Sequence, residues 1–162
     1  MPATIRTFRD SDALALSALT QAAILTIGPL AYAPDQIAAW AARHPGPERF
    51  VASALKADMI LVAVDANDTA VAYTLTEASG HCDMLYCHPD HAGQGLAIAL
   101  LAETERWARN TGLARLFTEA SELARPVFER AGFVVLHRRD FDIAHAGAAI
   151  PIHNYAMEKR LD

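Results

Sequence analysis

Between an apolar segment, Met84-Leu-Tyr-Cys87, and a long Ala/Leu-rich run lies the stretch His88-Pro-Asp-His-Ala-Gly-Gln-Gly-Leu-Ala97. It predicts a strand, a tight glycine loop and a helix start. The first backbone N–H groups of a helix have no partner within it, and the helix dipole places partial positive charge at that end. Such a loop can cradle a phosphate without a lysine. Gly93 and Gly95 let the main chain take unusual dihedral angles and come close to a ligand. Two glycines before a helix are equally compatible with plain turn chemistry. Two phosphate motifs are excluded outright. The Walker pattern requires Lys and Ser/Thr after its last glycine, whereas Gly95 is followed by Leu96-Ala97. The dinucleotide fingerprint requires a third glycine where Ile98 stands.

The string His-Pro-Asp-x-x-Gly-x-Gly-Leu-Ala-x-x-Leu-Leu, from His88 to Leu101, resembles the acetyl-CoA loop of the GCN5-related N-acetyltransferases, Arg/Gln-x-x-Gly-x-Gly/Ala. Ala92, Gly95 and Ala97 fall on the three defining positions, and Ala92 departs from the usual Arg or Gln. A second match, Ala124-x-x-x-Phe128-x-x-x-Gly132-Phe133, resembles the family's Ala-x-x-x-Tyr-x-x-x-Gly-Phe segment. The likeness extends over most of the chain and is weakest between Gly28 and Ala57. It implies that main-chain N–H groups of Ala92, Gly93, Gln94, Gly95, Leu96 and Ala97 hold the pyrophosphate of acetyl-CoA.

A chain of 162 residues reads as one domain over its whole length, and 52% hydrophobic with 20% charged residues is an ordinary globular composition. A net charge of −5 argues against a duplex nucleic acid partner. The start lacks a basic-then-apolar signal, and no apolar run is expected to serve as a membrane span, so the expected location is the cytoplasm. Cys82 and Cys87 stand five apart, on opposite faces of one strand, and are expected to be reduced. They lack zinc-site spacing, and no metal is expected.

The pattern of residues 4–8 predicts a first strand, followed by a helix capped by Asp10 or Ser11 that buries Leu16, Leu19, Ala23 and Ile27. A second helix opens at Ala33-Pro34-Asp35 and runs to about Arg43, and residues 47–55 form a short third. Residues 59–64 and 71–76 read as a hairpin, 81–88 as a strand, and the helix after the loop as burying Leu96, Leu100, Leu101, Trp107 and Ala108. A strand over 115–119, a helix with Pro126 in its first turn, and a closing hairpin of 134–143 with 152–157 complete the chain. The order predicts a mixed α/β (α+β) sheet with helices on both faces. The resemblance implies a mostly antiparallel sheet splayed between strands four and five, the gap admitting the pantetheine arm.

Acetyl transfer needs a placed thioester, a proton acceptor for the amine and donors for the tetrahedral oxyanion. The resemblance implies Leu85 N–H as the oxyanion donor, with Tyr86 and Cys87 touching pantetheine through their main chain. Strand periodicity places His81, Asp83, Leu85 and Cys87 on one face. Asp83 and His81 then stand where the family carries its general base; the alternative is a plain surface pair. The family's proton-donating tyrosine is Phe128 here, which cannot donate. Either solvent protonates the thiolate or another residue does, Tyr155 being one candidate, while Phe128 packs on pantetheine or in the core. Ser121 stands where the family has an Asn touching the cofactor, and capping is the alternative. Tyr32 and Trp40 come from the region that lines the family's acceptor pocket.

The expected function is transfer of an acetyl group from acetyl-CoA to a primary amine of a small molecule or protein, without a covalent enzyme intermediate. A homodimer is compatible with it. The rival readings are a non-catalytic acyl-CoA-sensing module, prompted by Phe128, and a plain interaction domain.

Overall fold

The computed structural model describes residues 3–162. The first sheet has the order β1 (Thr4–Thr7), β2 (Met59–Val64), β3 (Ala70–Thr76), β4 (Cys82–Cys87), every neighbour antiparallel. The second has β5 (Arg115–Ala120), β7 (Ala148–Arg160) and β6 (Val134–His145), with β7 in the middle, again antiparallel.

Strand alternation gives each sheet two apolar faces, and a helix covers each. On one face of the first sheet, Val62, Tyr73, Leu75 and Met84 pack against Leu16 and Leu19 of α1 (Ala13–Ile27) and Phe50 of α3 (Glu48–Ala54). On its other face, Leu61, Ala63 and Ala72 meet Leu100 of α4 (Leu96–Asn110). The second sheet packs Leu116, Ala120 and Met157 against Leu101 and Ala108 of α4 and Phe128 of α5 (Arg125–Arg130). Its far face joins Ile143 and Ile152 to Ile37 and Ala39 of α2 (Pro34–Arg43).

The two sheets meet at one parallel bridge, His81 with Phe117, where Phe117 N–H donates to Gly80 O at 3.1 Å. Gly80 has φ +97°, and a Cβ there would lie 2.5 Å from the Arg115 carbonyl oxygen. The close approach of β4 to β5 therefore requires glycine. Beyond it, Thr118 Oγ1 donates to Cys82 O at 2.8 Å, and the strands then part. This is the expected splay.

Four expectations need correction. Neither Asp10 nor Ser11 caps α1: both lie in a 3-10 turn, and Asp12 instead accepts Arg9 N–H at 2.8 Å while pairing with Arg6. Leu96 and Trp107 are only half-buried, and Thr104 takes a core position facing Thr74. The closing hairpin is longer than expected, because β6 and β7 pair to a two-residue turn at Ala146-Gly147, both at positive φ. Finally, the helical stretch Asp10–Leu30 is long and apolar enough to cross a membrane by length and composition. Here its Leu16, Leu19, Ala23 and Ile24 are buried in the protein's own core.

Candidate active site

Where β4 and β5 diverge, a cleft of about 700 Å³ opens, lined by both strands, the glycine loop, α2 and the start of α5. The loop forms its cofactor side. Gly93 and Gly95 have φ of +77° and +80°, which L side chains rarely adopt, and open space lies where a Cβ would point. Ala92 N–H donates to Pro89 O, and the next bond beyond the loop runs from Ala99 N–H to Gly95 O. The free amides are thus those of 93–98 rather than 92–97, a shift of one residue from the expectation: Ala92 is held by the 3-10 turn Pro89–His91. Six unpaired amides adjoin the positive end of a 15-residue helix, so the loop suits a diphosphate.

His88 N–H donates to Val71 O across to β3 at 2.8 Å. Amide direction alternates along a strand, so Tyr86 N–H also points to β3 while those of Leu85 and Cys87 point into the gap. Leu85 and Cys87 line the cleft. The Tyr86 ring lies on the opposite side of β4, near His44 and Trp40, and burial pushes its phenol up to about 12 against the pull of the Trp40 indole N–H.

The expected common face of His81, Asp83, Leu85 and Cys87 is broken. Leu75 pairs with Met84 but Thr76 pairs with Cys82, which leaves Asp83 as the extra residue of a β-bulge. Cys82 and Leu85 consequently share the α4 side, whereas Asp83 joins Met84 on the α1/α3 side. Asp83 Oδ2 accepts from Arg49 of α3 at 2.8 Å, and Arg49 also donates to Ser53. Burial raises the Asp83 carboxyl above its ordinary value, and Arg49 and His81 oppose the rise.

His81 is held between two carboxylates, Nδ1 3.0 Å from Glu77 and Nε2 3.0 Å from Glu119. The hydrogen bond to Glu119, opposed by burial and aided by Glu77, lifts the imidazole to about 9. It is a cation at neutral pH, so the chemistry sets it apart from the role of base that the sequence suggests. Glu77, His81 and Asp83 bring ligand atoms within 4.8 Å of one another, and a metal there would have to displace the His81 proton.

Tyr32 lines the cleft with its ring, while its hydroxyl donates to His153 O at 3.1 Å and accepts Glu122 N–H at 2.8 Å. Trp40 packs edge-on against it, with centroids 5.6 Å apart. Ser121 lines the cleft and also accepts Ala124 N–H, so it holds the turn into α5. Phe128 is 2% exposed and packs edge-on to Phe133. Tyr155 is not brought to the cleft: its hydroxyl donates to Glu122 Oε2 at 2.8 Å, and the Arg125 guanidinium covers its ring.

Sequence reasoning missed the partners Arg49 and Glu119, which lie 34 and 38 positions from the residues they bind. His44, in the bend after α2, lines the cleft with Nε2 buried and unpartnered among the described residues, and burial pushes its pKa down to about 4.

The structure thus sets a splayed sheet beside an amide-lined glycine loop. The acetyltransferase (GNAT) domain pattern matches residues 30–148, and the chain belongs to that family. It is therefore an N-acetyltransferase of the acetyl-CoA-using kind. It is 27% identical over 129 residues, 80% of this chain and 79% of the relative, to the uncharacterized N-acetyltransferase YafP of Escherichia coli K12. The crystal structure of a GCN5-related N-acetyltransferase from Rhodopseudomonas palustris, 27% identical, superposes with a TM-score of 0.85 over 99% of this chain and 97% of that one. The Salmonella typhimurium acetyltransferase yncA, solved with acetyl-CoA, is 20% identical with a TM-score of 0.74, covering 100% and 95%.

Proposed function

We propose that the chain moves the acetyl group of acetyl-CoA onto a primary amine of a small molecule or protein in the cytoplasm, by direct attack. The diphosphate sits on the amides of 93–98, and the arm runs through the gap between β4 and β5. The thioester carbonyl then lies beside Leu85 N–H, which donates to its oxygen as negative charge develops. Asp83, directly or through one water, takes the proton of the amine. Burial raises its carboxyl and so makes it more basic than an ordinary aspartate, whereas His81 is already protonated and burial weakens His44 as a base, to about 4. The amine nitrogen bonds to the carbonyl carbon, the C–S bond breaks, and the coenzyme A thiolate leaves. Solvent in the open cleft supplies its proton, since Phe128 has none and a thiol of pKa about 8.5 is a good leaving group.

The observation that carries this reading is the run of free amides at the mouth of the splay, with Asp83 on the other side of the same cleft. Incubation with acetyl-CoA and a broad panel of amines, following free thiol, tests it. Amine-dependent thiol release supports transfer. Saturable coenzyme A binding without release for any amine would favour the sensing module that Phe128 suggests.

A further inference from the structure

The acceptor side of the cleft separates its charges. Asp83 and Glu119 stand on β4 and β5, near the thioester, while Arg139 lines the cleft from β6. Of the other guanidiniums that line the cleft, Arg49 is taken by Asp83, and Arg43 and Arg130 are exposed at its rim. Arg139 is half-buried, and among the described residues its guanidinium makes one hydrogen bond, to a neutral group, Asn154 Oδ1 at 3.2 Å. Its guanidinium lies 5.5 Å from the Phe141 ring centroid. Glu119 feels its charge, yet the Oε1 of that carboxylate is bonded to His81. Among the described residues Arg139 has no carboxylate within 4.0 Å. A guanidinium has five donors in a planar fork suited to a carboxylate, and most of these remain for a ligand. Between the two charged ends, Trp40, Tyr86 and Phe141 give the cleft an apolar wall.

From this we infer that the acceptor carries a carboxylate as well as its primary amine, joined by an apolar skeleton, and that Arg139 with Asn154 seats the carboxylate. The inference rests on the acetyl-transfer reading. The strand of Arg139 is separated from that of Glu119 by β7, about 10 Å at ordinary strand spacing. The carboxylate therefore lies well away from the amine, as in ω-amino acids rather than α-amino acids.

The test compares straight-chain ω-amino acids with n-alkylamines of equal length, measuring kcat/KM by thiol release with saturating acetyl-CoA. The amino acids should be preferred by about tenfold to a hundredfold, the worth of a charge-assisted fork. Arg139→Gln should collapse that ratio towards one through KM for the amino acid. Arg139→Lys should restore part of it, and an unchanged melting temperature for both variants shows that the fold is intact. Equal or better turnover of the alkylamines, or a ratio indifferent to Arg139→Gln, overturns the inference and leaves acetyl transfer standing. Thiol release with no amine of either kind overturns both.

Discussion

Nε2 of His81 and Oε1 of Glu119 lie 3.0 Å apart beside the parallel bridge between the two sheets. The contact closes the narrow end of the splay, and the His81 ring also stacks on Phe117, with centroids 5.1 Å apart. Because its folded pKa is raised to about 9 from an ordinary 6.5, the stabilisation is complete below pH about 6.5 and is lost as pH rises through about 9. Half-exposed carboxylate partners reduce its worth to about 1 kcal/mol. His81→Asn should therefore lower Tm by about 2–4 °C at pH 6 and by little at pH 10. A gap between the two proteins that stays constant from pH 6 to 10 in scanning calorimetry would refute the clamp.

Asp83 predicts a base-dependent acid limb. Its carboxyl is held above the ordinary range by burial, so kcat/KM should fall as pH drops through that raised value. Asp83→Asn should reduce kcat by about a hundredfold or more, with little change in KM for acetyl-CoA. Removing the opposing cation with Arg49→Met should move the acid limb to higher pH. Full turnover of Asp83→Asn across the pH range would dismiss the assignment.

Two glycines separate conformational strain from collision. Gly95→Ala meets open space and pays only for left-handed φ, about 1 kcal/mol, or about 2–4 °C in Tm. Gly80→Ala adds a Cβ 2.5 Å from the Arg115 carbonyl at the joint of the sheets, and its Tm loss should be at least about twice as large. Thermal melts of the pair decide it; equal losses would mean that the joint yields.

The glycine loop and its helix were legible in the sequence because the signals are local: two glycines, a proline turn and an apolar period lie within about thirty residues. So was α2, set by Pro34 at its first position and ended before His44-Pro45. The bulge at Asp83 was not, since it exists only in the register of β4 against β3, and nothing in Cys-Asp-Met announces it. For the same reason the sequence suggested His81 as a base. Its protonation is set by Glu119, a residue of another sheet.

Tyr155 offers a direct check on proton delivery. With its hydroxyl bound to Glu122 outside the cleft, Tyr155→Phe should lower Tm while leaving kcat and its pH profile unchanged. A kcat reduced at least about tenfold in the variant would restore the tyrosine as the donor to the thiolate.

The decisive measurement is titration calorimetry of the folded protein with coenzyme A and, separately, with pantetheine, which keeps the thiol arm but lacks the diphosphate. Saturable binding of coenzyme A below about 1 mM, with pantetheine at least tenfold weaker, is the outcome expected if the amides of 93–98 hold the diphosphate. Equal affinity for the two, or no heat from coenzyme A at millimolar concentration, would contradict it.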